Sequence, residues 1–194
     1  MRSLSIAPLT VERIEHDDLA RPRVFLKGAH GETMMITVIN AHIIRVTVYP
    51  HGNPRLDRTW MVQGETFQRE GRRRDDLVFN LEPDAVASEI TQDERHLKIK
   101  KGSVSLSLDL TSGAITWYSD DRLFAADLPL NAYTYDANGH SVSHYMHHDP
   151  NAHYYGFGEV AGALDKNGMR IRLAPRDALG YNAETSDPLY KHFP

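Results

Sequence analysis

Apolar and polar residues alternate one by one along much of the chain, a pattern typical of half-buried antiparallel strands. From Ser103 to Leu110, valine and leucine occupy every second position, while serine and aspartate fill the positions between them. Successive side chains of a strand point to opposite faces of its sheet, so this stretch predicts one face in the core and one in water. The helical spacing of apolar residues is almost absent.

Short turn sequences join the alternating stretches into hairpins. The Thr-Ser-Gly sequence at 111–113 supplies a glycine that can adopt positive φ, and residues 114–118 then return with apolar side chains at alternate positions. Upstream, a Lys-Gly pair at 101–102 connects the same strand to the alternating stretch 96–100. Local rules alone therefore predict a three-strand meander.

Further strand candidates occur at even spacing along the chain. They are Arg23 to Lys27, Thr33 to Ile39, His42 to Tyr49, Arg122 to Ala125, Leu130 to Tyr135, Ser141 to His147 and Met169 to Leu173. Many short strands of this kind predict an all-β fold, an antiparallel sandwich or a barrel. In the third of them, Ile44, Val46 and Val48 form an apolar row and Pro50 ends the strand. We predict that this strand is central in its sheet.

The length of the chain bounds its organisation. At 194 residues it can form one domain with a sizeable core, but it is too short for a sandwich and a complete catalytic barrel together. We therefore expect a single domain over residues 1–194. From 174 to 194 the alternation stops, and the composition predicts an irregular loop that needs a function or a partner to hold it.

Composition and charge exclude several kinds of partner. The net charge is -4 with both signs spread along the chain, and the basic run Arg72 to Arg74 is followed at once by Asp75 and Asp76. No basic stripe that would hold nucleic acid results. No apolar run approaches the ~20 residues needed to span a bilayer, and no signal peptide is visible. Together with the absence of cysteine, this favours a cytoplasmic protein without a membrane partner.

Two clusters of polar residues could carry chemistry of their own. Five histidines, namely His140, His144, His147, His148 and His153, surround Asp149 and could in principle bind a transition metal. Strand geometry brings no more than two of them to one face, so we assign no metal site. The adjacent Asp120 and Asp121 would face apart in a strand, which excludes an acid/base pair and predicts a turn.

Three blocks near the end of the chain carry a family resemblance. They are Tyr155-Gly156-Phe157-Gly158-Glu159 with Gly162 and Leu164, then Asp177-Ala178 with Gly180-Tyr181, then Asp187-Pro188-Leu189-Tyr190-Lys191-His192-Phe193-Pro194. A Gly-x-Gly pair alone is weak, and no Gly-Lys-Ser/Thr sequence follows that would indicate a phosphate site. In this order and spacing, the blocks resemble glycoside hydrolase family 31, of the α-glucosidase type.

The resemblance implies a fold and an activity. The fold would be the N-terminal β-sandwich of that family, a galactose-mutarotase-like supersandwich, whose loop 174–194 leads towards a (β/α)8 catalytic barrel. The activity would be retaining hydrolysis of terminal α-linked glucose in oligosaccharides by two aspartates of the barrel, held about 5 Å apart. Both aspartates would lie beyond Pro194. We therefore assign no catalytic residue and no cofactor to this chain, and we expect it to be inactive alone.

The same resemblance implies how this chain meets the substrate. In the family, a loop after the glycine-rich block leans over the barrel mouth, and here it would run from Ala174 to Asp187. Asp177 would accept hydrogen bonds from sugar hydroxyls near the leaving group, with Arg176 beside it as a second substrate-binding residue. Asp177 could equally cap a turn before Gly180. The expected partners are thus an α-glucoside oligosaccharide and the barrel.

Other interpretations remain open on the sequence alone. A stand-alone carbohydrate-binding module would need exposed aromatic residues, and Trp60 and Trp117 are the candidates, although Trp117 alternates with the core row. An epimerase-like enzyme on the same fold would use a histidine acid and a base such as Glu159. Tyr181 and Tyr190 would either stack on sugar or pack against the barrel.

Overall fold

The computed structural model of the chain describes residues 3–16, 20–52, 86–139, 141–157, 163–171 and 191–192. Two compact units make up the chain, one of residues 1–147 and one of residues 148–194. The expectation of a single domain over 1–194 stays a prediction. Within the described residues, no helix has the length and apolar character needed to cross a bilayer.

Twelve strands form the described part of the first unit. They are β1 (Ser3–Ser5), β2 (Leu9–His16), β3 (Pro22–Gly28), β4 (Thr33–Asn40), β5 (Ile43–Tyr49), β6 (Ser88–Gln92), β7 (His96–Lys101), β8 (Val104–Asp109), β9 (Ile115–Ser119), β10 (Arg122–Ala126), β11 (Tyr133–Asp136) and β12 (Val142–His144). All described pairs are antiparallel, in sheets of order β2-β3-β4-β5, β10-β9-β8-β7-β6 and β1-β11-β12.

The five-stranded sheet follows the local sequence pattern closely. Leu106 and Leu108 are buried while Ser105 and Ser107 lie on the opposite face. The predicted meander is confirmed as β7, β8 and β9, with Gly102 and Gly113 at positive φ in the two turns. Alternation therefore identified both the strands and their inner face.

The four-stranded sheet corrects one prediction. β5, which we predicted to be central, pairs with β4 alone among the described strands and lies at the end of that sheet. β4 is buried along nearly its whole length, with Met34 and Ile36 on one face and Met35 and Thr37 on the other. Its near-continuous apolar run is typical of a strand that is covered on both faces, and β4 is one of the two inner strands of the sheet, with β3.

Side chains from all three sheets meet in one core. Its buried members include Val24, Leu26, Met34, Ile36 and Val38 from the first sheet, Leu97, Ile99, Leu106, Leu108 and Ile115 from the second, and Tyr133 and Tyr135 from the third. Burying each such aliphatic side chain contributes about 1.5–3 kcal/mol. The predicted all-β antiparallel sandwich is confirmed.

In the first unit, the sequence pattern missed three of the described strands, β1, β2 and β6. Most of β2 is exposed, and a register shift between Val11 and Arg13 breaks its alternation. Of its five residues, β6 contributes only Ile90 to the core. β1, β2 and β6 pair with β11, β3 and β7, and few of their side chains are buried, so they carry little periodic signal.

The second unit is largely irregular where it is described. Met169–Arg170 forms β13, which pairs antiparallel with β14, Lys191–His192. The predicted strand Met169 to Leu173 is thus a strand at its first two residues, and 172–173 lie outside the described residues. Most of the predicted loop 174–194 lies outside them as well, and its described residues 191–192 form a strand.

Candidate functional site

The residues that we predicted from the sequence to bind sugar lie outside the described part of the chain. This holds for Asp177 and Arg176 and for Tyr181 and Tyr190, and Glu159, the base of the epimerase-like alternative, lies outside it as well. Residues 148–157 and 163–171 of the second unit are described, and they contain the first half of the Tyr-Gly-Phe-Gly-Glu block. The candidate site is therefore built from these two segments.

Asp165 holds the two segments together. Its Oδ2 lies 2.7 Å from Nδ1 of His153, and its Oδ1 accepts backbone hydrogen bonds from Tyr154 at 3.1 Å and Asn167 at 2.9 Å. The hydrogen bond to His153, followed by the two backbone N–H groups, lowers the pKa of Asp165 to about 2. An ionised carboxylate is the acceptor best suited to three donors at once.

Asn167 provides a second connection between the same segments. Its Oδ1 lies 2.6 Å from Nε2 of His148, and its Nδ2 donates to the carbonyl of Pro150 at 2.8 Å. The backbone N–H of Lys166 donates to the carbonyl of Tyr154 at 2.8 Å. The residues 165–168 thus fix the backbone from His148 to Tyr154. This stretch directly precedes the Tyr-Gly-Phe-Gly-Glu block, which begins at Tyr155.

Residues 148–157, which we call the clamped segment, present aromatic rings to solvent. Tyr154, Tyr155 and Phe157 are exposed, with Tyr155 at 59%. Gly156 and Phe157 both have positive φ, 95° and 69°. A bulky residue rarely adopts this conformation, and backbone strain of this kind clusters at functional sites. The geometry turns the chain sharply within the block and leaves its rings available to a covering surface.

The histidines form separate hydrogen bonds instead of converging. His148 contacts Asn167, His153 contacts Asp165, and in the first unit His144 contacts Asp127. Among the described residues, no three histidine, aspartate or glutamate side chains gather where they could hold a metal ion. His140 lies outside those residues. Asp120 and Asp121 form the predicted turn, both at positive φ, between β9 and β10.

Sequence reasoning missed the buried Asp127. Its Oδ1 lies 2.8 Å from Nε2 of His144, and its Oδ2 accepts the backbone N–H of Ile115 at 2.9 Å. Burial, followed by the charge of Asp127 and a hydrogen bond to it, raises the pKa of Tyr133, whose ring stacks on His144 at 4.2 Å. With its carboxyl oxygens engaged inside the core, Asp127 is a structural residue. An aspartate within the largely apolar stretch 123–130 is the signal that could have identified it.

A second buried acid, Glu32, has an equally structural setting. The hydroxyl of Tyr135 donates to Oε1 of Glu32 at 2.6 Å, and the backbone N–H of His30 donates to Oε2 at 2.8 Å. Burial raises the pKa of Glu32, but the hydrogen bonds outweigh it and the net pKa is lowered. The same bond, together with burial, raises the pKa of Tyr135 to about 12.

The first unit also carries an apolar surface, which we call the β10–β12 patch. It consists of Leu123, Phe124, Leu130, Tyr145 and Met146, all exposed, with Leu130 at 79%. Backbone hydrogen bonds from residues 128 and 147 to 145 and 126 keep these segments adjacent. We take these exposed apolar side chains as a candidate interaction surface.

The two tryptophans provide no described sugar platform. Trp117 is half-buried and packs against the core, as its alternation with the core row predicted. Trp60 lies outside the described residues. The aromatic surface on which the stand-alone binding module depended is therefore not formed by Trp117.

Comparison with known proteins gives a family match over most of the chain. Residues 33–194 match the family described as the glycosyl hydrolase 31 N-terminal galactose mutarotase-like domain. The match includes the clamped segment of the second unit and the positions of Arg176 and Asp177. No curated protein sequence matches the chain.

Solved structures with the same fold come from larger proteins. A dextranase of glycoside hydrolase family 31 from Flavobacterium johnsoniae, in complex with glucose, superposes with a TM-score of 0.66 at 11% identity over 85% of this chain. Its D412A mutant, in complex with isomaltotriose, gives 0.65 at 12% identity over 85%. An uncharacterized Listeria monocytogenes EGD-e protein, in complex with α- and β-glucose, magnesium and calcium, gives 0.62 at 11% identity over 91%.

The matched region is a small part of each of these proteins. This chain covers 18% of either dextranase chain and 15% of the Listeria chain. At such low identity the likeness establishes the fold and no more.

Proposed function

This chain belongs to glycoside hydrolase family 31, whose N-terminal galactose mutarotase-like domain it matches over residues 33–194, and from that membership we propose that it forms part of a retaining α-glycosidase. The proposed reaction removes terminal α-linked glucose from oligosaccharides, as an α-glucosidase does. The family match is the observation that carries the proposal. A retaining mechanism needs two carboxyl groups about 5 Å apart on either side of the scissile bond.

Three described acids with several hydrogen-bond partners are unsuited to that pair. Asp127 and Glu32 are buried, with their oxygens engaged by neighbouring donors. Asp165 is committed to His153 and two backbone N–H groups. The bond-breaking carboxylates therefore belong, in this proposal, to a (β/α)8 barrel that forms a further part of the same enzyme.

The proposed sugar rests on two supports. The sequence blocks resemble the α-glucosidase type of the family, and two of the solved structures contain glucose and one contains isomaltotriose, an α-linked glucose oligomer. These ligands belong to those proteins. They motivate glucose as the first sugar to test on this one.

Within the enzyme, we assign this chain two tasks. The loop from Ala174 to Asp187 covers the barrel mouth and contacts the sugar through Asp177 and Arg176. In support, the segment that precedes this loop in the sequence is clamped by Asp165 and presents exposed rings in a strained conformation. The second task is to pack on the barrel, for which the β10–β12 patch supplies an apolar surface.

An assay with a chromogenic α-glucoside tests this function. The isolated chain should give no hydrolysis above the buffer rate, while the enzyme that contains the chain and its barrel should turn the substrate over. Proton NMR of the first product formed should show α-glucose, because retention follows from two successive displacements. Hydrolysis by the chain alone, or β-glucose as the first product, would overturn the proposal.

A further inference from the structure

An open groove lies on the outer face of the five-stranded sheet. It has a volume of about 530 Å³, within the range of roughly 300–1,000 Å³ that is typical of small-ligand sites. Strands β6 to β9 and the turn after β9 line it, with the edges of Ile99 and Leu106 among the lining groups. The groove belongs entirely to the first unit.

Strand register arranges the polar lining in rows across the sheet. Glu89 pairs with Lys100, Lys100 with Ser105, and Ser105 with Tyr118. Thr91, Lys98 and Ser107 form the parallel row beside it. Adjacent strands lie about 4.8 Å apart, so the first row extends for about 14 Å from Glu89 to Tyr118. This length suits a chain of linked rings better than a single small molecule.

The groove offers hydrogen-bonding groups that the protein leaves available. Lys100 binds Asp121 at 3.0 Å. By contrast, among the described residues Glu89, Lys98 and Tyr118 line the groove without a side-chain hydrogen bond or a contact ion pair, although the charge of Glu89 acts on Lys100 and that of Lys98 on Asp93. Donors and acceptors thus stand side by side on one open face. Sugar hydroxyls, which both donate and accept, match such a mixed lining.

Charge and shape select among ligand classes. Two lysines face two carboxylates, those of Glu89 and Asp121, so the formal charges cancel and the groove is unsuited to a phosphate or a nucleic-acid backbone. Tyr118 adds a half-buried aromatic ring. Such a ring packs on the apolar face of a pyranose while its hydroxyl stays wet. A neutral oligosaccharide satisfies all of these groups together.

We propose that this groove is a binding site for a neutral oligosaccharide, with Tyr118 as the stacking platform and Lys98 and Glu89 as hydrogen-bonding partners. The site requires no barrel and no catalytic group. A test of this site is therefore independent of the glycosidase function proposed above.

Titration of the isotope-labelled chain, followed by amide NMR, tests the site. The probes are maltoheptaose, a linear dextran oligomer and xylohexaose, with inorganic phosphate as an anionic comparison. At least one of the sugars should shift amide signals of β6, β7, β8 and β9 in a saturable manner. Tyr118→Ala should weaken that binding about tenfold, the equivalent of one aromatic contact. Tyr118→Phe should retain most of it.

Two further variants test the same site if Tyr118→Ala folds poorly. Lys98→Met changes an exposed side chain and should weaken binding about fivefold through its lost hydrogen bonds. Ile14→Ala changes an exposed apolar side chain outside the groove and should leave affinity unchanged. The proposal is overturned if no probe sugar shifts these strands, if phosphate alone does so, or if the folded groove variants bind as tightly as the parent.

Discussion

The carboxyl group of Asp127 lies 2.8 Å from Nε2 of His144 and connects two sheets of the sandwich. Asp127 follows β10, and its other oxygen accepts the backbone N–H of Ile115 in β9, while His144 ends β12. The side chain of Asp127 is fully buried. A group so placed stabilises the fold only while all of its partners are present.

Replacing Asp127 by asparagine should therefore cost the first unit about 2 kcal/mol of unfolding free energy. The new amide must place its N–H₂ either against the Ile115 N–H, which is a donor, or against Nε2 of His144, which must then change tautomer to accept a hydrogen bond. Chemical denaturation measures the change. The matched control is Asp121→Asn, whose parent side chain is 77% exposed and pairs with Lys100 at the surface. That change should stay within about 0.5 kcal/mol. Equal effects of the two substitutions would contradict the role of Asp127.

Tyr135→Phe should destabilise the fold by about 1.5–3 kcal/mol at neutral pH, the range for a hydrogen bond to a charged group. The change removes the donor 2.6 Å from Oε1 of the buried Glu32. Tyr145→Phe, at an exposed position, is the control and should have almost no effect.

The effect of Tyr135→Phe should also depend on acidity. The hydrogen bonds lower the pKa of Glu32 in the folded state below its ordinary value of 4.5. Its contribution is therefore complete above about pH 4.5 and is lost as the pH falls through the folded-state pKa. The stability difference between parent and variant should narrow in that acidic range. A difference that stays constant into strong acid would show that Glu32 is not the partner that matters.

Local alternation and non-local pairing explain which parts of this fold the sequence could predict. In β8, one face meets the core and one meets water, so Leu106 and Leu108 reveal both the strand and its orientation. Which strands pair with a given strand cannot be predicted from the alternation within that strand. β5 has a clear apolar row and still lies at the end of its described sheet, because the chain pairs it with β4 alone there.

The candidate site shows the same limit. The glycine-rich block was visible as a motif, but its clamp depends on Asp165, which meets His153 across twelve positions of sequence. The partnership of Asp127 with His144 spans seventeen. No periodic pattern records hydrogen bonds of this kind. They follow from the register of sheets and turns, which only the folded chain defines.

The carboxyl group of Asp165 should titrate with a midpoint near pH 2. Its hydrogen bond to His153 and two backbone N–H groups hold the pKa at about 2, against an ordinary 3.8. The stabilisation of the clamped segment by this group should thus persist above about pH 4 and disappear as the pH falls towards 2. Carboxyl-carbon NMR measures the midpoint. His153→Ala should raise it, because the largest cause of the shift is then lost. A parent midpoint near 3.8 would rule out the clamp.

The β10–β12 patch should matter to assembly and little to the fold of the domain. Leu123→Asp combined with Leu130→Asp changes two highly exposed leucines, so the isolated chain should keep its stability within about 1 kcal/mol. Its affinity for a separately produced barrel should fall at least about tenfold, since the apolar contact is replaced by buried charge. Calorimetry measures both. Ile14→Asp, an exposed apolar position outside the patch, is the control, and equal losses for the two variants would contradict the assignment.

Asp177→Ala, made in the complete enzyme, should change the choice of leaving group more than the stability of the domain. If Asp177 accepts hydrogen bonds from sugar hydroxyls, its loss leaves them unpaired and should lower kcat/KM for the favoured aglycone by a factor equivalent to about 1–3 kcal/mol of transition-state stabilisation. Poor aglycones, which gain less from this contact, should lose less, so the range of kcat/KM across a series should narrow. Asp177→Asn keeps one acceptor and should fall between, and Arg176→Ala tests the neighbouring contact. The thermal transition separates a folding defect from a binding defect. Unchanged kinetics across the whole aglycone series would remove Asp177 from the sugar site and leave it as the cap of a turn.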